Sequence, residues 1–262
     1  MEKARSADGS SIAFEKLGSG PALVLVGGAF CDHRARVAGL PLARELSSAL
    51  TVYCYDRRGR GQSGDTAPYA VAREIEDLAA VLAAAGGDAH VYGHSSGAVL
   101  ALEAALAGLP IDKLALYEPP LVLAGSRELM PADLPEQLVE LIEGGKRSEA
   151  AELFLTRAVG VPAAVVAQRK QGPAWAGLAA MANTLSYEAK LTADPESILA
   201  RAAELGNETA LFDGGKSQAW LREGVERLAR VIPGVTYVSL PDQTHDVDPL
   251  QLAPHLLEFF LA

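Results

Sequence analysis

Short, unbroken apolar runs alternate with segments whose apolar residues recur every three or four positions over the first 120 residues, and the same alternation returns after about residue 206. Ala22–Val26 and Thr51–Tyr55 are continuous runs that read as strands buried on both faces, and His90–Tyr92 and Lys113–Tyr117 read as a third and a fourth strand. Ser11–Leu17 alternates like an edge strand. Thr209–Phe212 and Val235–Leu240 add two more strands. Helical spacing covers Val37–Leu50, Tyr69–Ala85, Ala98–Leu106, Trp220–Val231 and Pro249–Phe260, so helices connect the strands and a mostly parallel sheet flanked by helices follows. Residues 121–205 break the rhythm. They contain helix-like segments interrupted by Pro131, Pro135, Pro162, Pro173 and Pro195 and no clear strand. The expected organisation is an α/β core from residues 1–120 and 206–262, with 121–205 as a helical cap inserted into it.

Composition narrows the classes. The chain has 262 residues, 49% of them hydrophobic and 21% charged, which suits a packed α/β domain and not a disordered chain. A formal net charge of −10 would repel a phosphate backbone, so no nucleic-acid partner is expected. No apolar stretch is long enough to span a membrane, and the first residues, MEKARSADGSSIAFEK, lack the apolar centre of a secretory signal. Cys31 and Cys54 lie in apolar surroundings and read as buried free thiols. With no disulfide framework and no zinc-type spacing, the expected setting is a reducing cytoplasm, with no metal and no cofactor.

The chemistry-bearing segment is Gly93-His94-Ser95-Ser96-Gly97, a G-x-S-x-G pentapeptide between a strand and a helix. So tight a turn strains the central serine and lifts its hydroxyl above the sheet. The flanking glycines are needed because side chains there would collide with the turn. The helix that follows offers free N–H groups to a developing negative charge.

In this setting the chain resembles the α/β-hydrolase superfamily over nearly its full length. Leu25-Val26-Gly27-Gly28-Ala29-Phe30 resembles the family's oxyanion loop, with Gly27 where histidine is usual. The resemblance implies that the N–H groups of Ala29 and Ser96 hold the oxyanion. Tyr55-Asp56-Arg57-Arg58-Gly59-Arg60-Gly61-Gln62-Ser63 is similar to the D-x-R-G-x-G-x-S loop, which gives Asp56 and the arginines a bracing role. Gln243-Thr244-His245-Asp246 occupies the catalytic-histidine loop, so Ser95 and His245 are the implied nucleophile and base.

The acid departs from the pattern. The position where the family places aspartate, in Phe212-Asp213-Gly214-Gly215-Lys216-Ser217, holds Ser217. Glu118, at the end of the strand after the nucleophile helix, is the first candidate. Asp213 is the second, and Asp246 and Asp248 flank the histidine but suit a turn. For substrate contacts the expected residues are His94, Phe30, His33, Trp175 and Met181. His90 and His255 read as structural. The implied activity is hydrolysis of a small, mostly apolar carboxylic ester, thioester or lactone by a monomer or homodimer. A carbon–carbon bond hydrolase, a lyase, or a non-catalytic small-ligand binder with a degenerate triad are the alternatives.

Overall fold

The computed structural model describes residues 1–262. Eight strands form one sheet: β1 (Glu2–Arg5), β2 (Ser11–Gly18), β3 (Ala22–Val26), β4 (Thr51–Tyr55), β5 (Ala89–His94), β6 (Ile111–Tyr117), β7 (Glu208–Gly214) and β8 (Thr236–Leu240). Their spatial order is β1-β2-β4-β3-β5-β6-β7-β8. The first two pairings are antiparallel and the rest parallel. The expected mostly parallel sheet is therefore present, with one addition. Glu2–Arg5, too polar and too short to announce itself, is the true edge strand beside β2.

The apolar runs are explained by the two cores they serve. Val24, Val26, Val91, Leu114 and Leu116 point into one cluster, covered by α2 (Val71–Ala84) and α3 (Ser96–Leu106). Their neighbours Leu23, Leu25, Tyr92, Ala115 and Tyr117 point into the other, covered by α1 (Leu40–Leu46) and the C-terminal helix Pro249–Leu261. Successive residues of one strand thus feed opposite cores. The helix expected from Val37 to Leu50 is shorter than its apolar spacing suggests. Gly39 is wedged against the carbonyls of His33 and Ala35, where a Cβ would sit 2.4 and 2.5 Å from oxygen, and the helix starts only beyond it.

Between β6 and β7 come α4 (Leu134–Glu143), α5 (Arg147–Arg157), α6 (Ala163–Lys170), α7 (Trp175–Ala180), a 3-10 turn at Ala182–Thr184, α8 (Leu185–Leu191) and α9 (Pro195–Ala202). The residues from Leu134 to Ala189 have a core of their own, against which Ala29 and Phe30 pack from below. The last helix of the segment behaves differently. Ile198, Leu199 and Ala202 of α9 join the sheet-side cluster with Leu191 and Leu205, so the separate apolar core of this segment extends only to Ala189. After β7, α10 (Ala219–Val231) and α11 (Pro249–Leu261) complete the chain. No helix is long and apolar enough to cross a membrane.

Candidate active site

Three non-glycine residues have positive φ: Phe30 at 57°, Ser95 at 57° and Glu118 at 44°. All three lie just beyond the C-terminal ends of neighbouring parallel strands, β3, β5 and β6. Such conformations are costly for residues with a Cβ and persist only where the surroundings impose them. At Ser95 the surroundings are explicit. A Cβ on Gly93 would meet Ala98 Cα at 2.6 Å, and one on Gly97 would meet the Val26 carbonyl oxygen at 2.2 Å. Gly28 presses its backbone against the serine, with room for no side chain: a Cβ there would stand 2.8 Å from Ser95 Cβ. The Ser95 N–H donates to the Tyr117 carbonyl at 2.9 Å, which ties the elbow to the end of β6.

The next residue on β6 is Glu118, fully buried. Its N–H continues the ladder to Phe212 of β7 at 3.1 Å. Its carboxylate then divides its work. Oε1 accepts the Gly214 N–H at 2.7 Å, and Oε2 lies 2.6 Å from His245 Nδ1. The histidine loop reaches this point because β7 ends in glycine. A Cβ on Gly214 would run into Gln243 and Thr244 at 2.6–2.8 Å. The loop is held from several directions. Tyr117 Oη donates to the Thr244 carbonyl at 2.8 Å, the Lys216 N–H donates to Gln243 at 2.9 Å, and Arg36 donates to the Asp246 carbonyl at 2.7 Å.

The other carboxylates are occupied elsewhere. Asp213 faces β8 and accepts the Tyr237 and Ser239 hydroxyls at 2.5 Å each. It makes no contact with His245, which corrects its standing as second candidate for the acid. Asp246 pairs with Arg36 at 2.7 Å, and Asp248 caps α11 by accepting the Leu250 N–H.

Ser95 and His245 open into one cavity of about 560 Å3, within the range of small-molecule sites. Ala29 and Ser96, whose N–H groups the sequence assigned to the oxyanion, line it as well. Ser96 is the first residue of α3, where N–H groups have no partner within the helix. The expected substrate contacts are not on its wall. His94 is buried beneath the site, and its Nε2–H donates to the His245 carbonyl at 2.8 Å. Burial, with His245 close by, lowers its pKa to about 3, so the ring stays neutral. His33 is buried against Asp56, with Nδ1 at 2.8 Å from Oδ1. Phe30 turns into the cap core and meets Phe154 edge-on at 5.8 Å between ring centres. Trp175 is buried in that core, its indole N–H donating to Ser148 at 2.8 Å, and Met181 ends α7 away from the cavity.

The wall comes instead from the segment after β6 (Pro120, Val122, Met130), from Phe154 and Val159, and from Trp220 and Leu221 at the start of α10. A sequence signal for these existed. Open α/β sheets bind ligands beyond the carboxyl ends of their strands, and residues just after β6 and β7 meet that rule.

The arginine loop braces the site as the sequence implied, and does more. Asp56 accepts the N–H groups of His33 and Gln62, each at 2.8 Å. Arg58 binds Asp77 through two bonds of 2.8 Å. Arg57 grips Glu74 at 2.6 and 2.7 Å and donates to the Gly27 carbonyl at 3.1 Å. Arg60 donates to the Gly28 carbonyl at 2.6 Å and pairs with Glu188 of α8. Since Gly28 C=O and Ala29 N–H belong to one planar peptide, Arg60 fixes the direction of that N–H. Burial and the neighbouring Arg57 lower the Arg60 pKa to about 10, which leaves it charged at neutral pH. Cys54 is buried and its thiol pushed up to about 12, while Cys31 is half-buried and also raised by burial. Neither is a poised nucleophile.

A structure described as an alpha/beta hydrolase from Sphaerobacter thermophilus superposes with a TM-score of 0.91 at 50% identity, covering 99% of this chain and 100% of that one. A thermophilic esterase from Thermogutta terrifontis superposes at 0.73 with 21% identity, covering 99% and 97%, a likeness of fold alone. Among curated proteins, an N-formylmaleamate deformylase of Pseudomonas putida is 38% identical over 122 residues. That match spans 45% of this chain and 44% of the relative, less than half of either. The model of the Alpha/beta hydrolase family matches residues 23–257. Leu25–Phe30, Gly93–Gly97 and Gln243–Asp246 all fall inside that span, and the chain belongs to the alpha/beta hydrolase family.

Proposed function

We propose that the protein is a serine hydrolase that cleaves a small carboxylic ester, thioester or lactone through an acyl-enzyme on Ser95. The observation that carries this reading is the 2.6 Å contact between buried Glu118 and His245 Nδ1, beside an elbow serine in the same cavity. An imidazole whose Nδ1–H is held by a carboxylate presents a bare Nε2, the form that takes a proton. In the proposed sequence Ser95 Oγ attacks the carbonyl carbon and gives its proton to His245 Nε2. The carbonyl π electrons move to oxygen, which the N–H groups of Ala29 and Ser96 stabilise. Collapse of the tetrahedral intermediate expels the alkoxide, which leaves with the His245 proton. Water, deprotonated by His245, then attacks the acyl-enzyme and frees the acid and Ser95. Glu118 holds the Nδ1 proton of His245 in place and stabilises the imidazolium. The mostly apolar wall suits an uncharged acyl group.

The test is labelling of the pure protein with a fluorophosphonate, with Ser95→Ala and His245→Ala beside it. Labelling that requires both residues supports the reading. A folded parent that neither labels nor hydrolyses p-nitrophenyl acetate refutes it.

A further inference from the structure

Two buried polar side chains beneath the site have a single use between them. His94, the last residue of β5, donates from Nε2–H to the His245 carbonyl at 2.8 Å, and its Nδ1 has no partner in the protein. Tyr117, the last residue of β6, donates from Oη to the Thr244 carbonyl at 2.8 Å and makes no other hydrogen bond through its side chain. Rings without a polar atom would fill both places more cheaply, because a buried N–H or O–H loses its water and needs a partner in return. For both residues that partner is the backbone at the histidine. We propose that His94 and Tyr117 are positioning residues, an uncharged clamp that holds His245 in place against Ser95.

The two carbonyls belong to the peptide planes on either side of the His245 Cα. Holding both fixes the direction in which its Cβ leaves the backbone. Glu118 cannot do this, since it grips the ring at Nδ1 alone and leaves the ring free to pivot about that contact. The topology explains why the clamp lies where it does. β5 and β6 are parallel neighbours with His94 opposite Tyr117, and the two rings stack with 5.5 Å between centres. Ser95 and Glu118 are the next residues along the same strands. The clamp is therefore bonded covalently to the nucleophile and the acid, and the Tyr117 carbonyl also accepts the Ser95 N–H at 2.9 Å. The choice of donor follows from charge. The His94 and His245 rings are 4.8 Å apart, so a lysine or arginine at 94 would oppose the imidazolium that the reaction forms. A neutral imidazole donates without that penalty, and burial keeps His94 neutral.

This assignment rests on His245 acting as base, and the experiment keeps the two apart. kcat and KM for p-nitrophenyl butyrate are measured for Tyr117→Phe, His94→Leu and His94→Gln, each checked for folding by circular dichroism. A base displaced by about 1 Å costs about 10- to 100-fold, so Tyr117→Phe and His94→Leu should lower kcat by that much with KM little changed. His94→Gln, whose amide N–H stands near the place of Nε2–H, should recover at least about fivefold of the His94→Leu loss. Tyr117→Phe removes one oxygen only, which keeps the test decisive if His94→Leu does not fold. Low-field proton NMR of the Nδ1–H between His245 and Glu118, recorded in the Ser95→Ala background, needs no turnover. That resonance should move in Tyr117→Phe and His94→Leu and return in His94→Gln. A wild type that hydrolyses no ester while the resonance responds in this way would remove the hydrolase reading and leave the clamp standing. Folded Tyr117→Phe and His94→Leu variants with kcat within about threefold of wild type, or a resonance that neither moves, overturn the clamp. So does a His94→Gln variant as slow as His94→Leu, because the N–H would then have no part in it.

Discussion

Replacing Glu118 by glutamine tests the site at its least conventional point. Glutamine is isosteric, and its carbonyl oxygen can still accept the Gly214 N–H that Oε1 holds at 2.7 Å. Its NH2 then faces His245 Nδ1, where Oε2 now stands at 2.6 Å. Two donors cannot share that contact, so the ring must shift its proton to Nε2, the wrong nitrogen for a base. The electrostatic part can be worked separately. A carboxylate about 4 Å from the imidazolium charge is worth about 4 kcal/mol at an effective dielectric constant of 20, or about 10^3 in rate. The wrong tautomer adds to this, so kcat for p-nitrophenyl butyrate should fall by about 10^3 to 10^4. KM should change little, since Glu118 is fully buried and touches no substrate. Thermal unfolding followed by circular dichroism should show a folded protein, because glutamine leaves no buried donor orphaned. If Glu118→Gln turns over within tenfold of wild type, the reasoning fails. It fails most clearly if Asp213→Asn is the variant that loses 10^3.

Other consequences are equally direct. Gly28→Ala puts a Cβ 2.8 Å from that of Ser95 and 2.9 Å from the His94 carbonyl oxygen, and should cost both activity and stability, read as esterase rate and melting temperature. Gly97→Ala meets backbone, 2.2 Å from the Val26 oxygen, and should destabilise by about 1–3 kcal/mol or more in urea titration. His94 is neutral when folded, with a pKa of about 3 against about 6.5 unfolded, so the unfolded state binds the extra proton. Its contribution is therefore complete above pH 6.5 and is lost as pH falls toward 3, at up to about 1.4 kcal/mol per unit. His94→Gln, which can still donate to the His245 carbonyl, should flatten that acid slope in a series of melting curves. Arg60→Met leaves Glu188 with Arg57 alone and the Gly28 carbonyl without its donor, and should cost about 1–3 kcal/mol in denaturant titrations. Arg60→Lys should recover part of that stability but not kcat, since one ammonium cannot hold both partners in the guanidinium plane.

The strands were legible because burial on both faces writes them as unbroken apolar runs, as Leu23–Val26 shows. β1 was not, because an edge strand of four residues, three of them exposed, carries no such run. The nucleophile and histidine were legible because local geometry dictates them: glycines at 93, 97 and 214 are required by backbone approaches under 3 Å. Glu118 could be nominated only because it ends a strand. What distinguishes it from Asp213 is which way each side chain leaves the sheet, toward His245 or toward β8. The cavity wall was the poorest inference, because helical spacing marks an apolar face without naming what it faces. Trp175 and Trp220 look alike in sequence. One is buried among cap helices and the other lines the cavity beyond β7.

The arginine loop also governs how substrate can arrive. Arg57 and Arg60 hold carbonyls of the oxyanion loop with one set of nitrogens and Glu188 of α8 with another. Lifting α8 as a rigid roof would tear buried charges apart, at about 3–5 kcal/mol for a broken pair. A roof so bolted opens in no more than about one molecule in a hundred at any moment. The segment after β6 holds no buried ion pair and meets the start of α10 through Arg127, whose guanidinium lies 4.4 Å from the centre of the Trp220 ring. Parting that one stacking contact costs less than breaking the ion pairs under α8, so the side of the cavity by Met130 and Trp220 yields before its roof does.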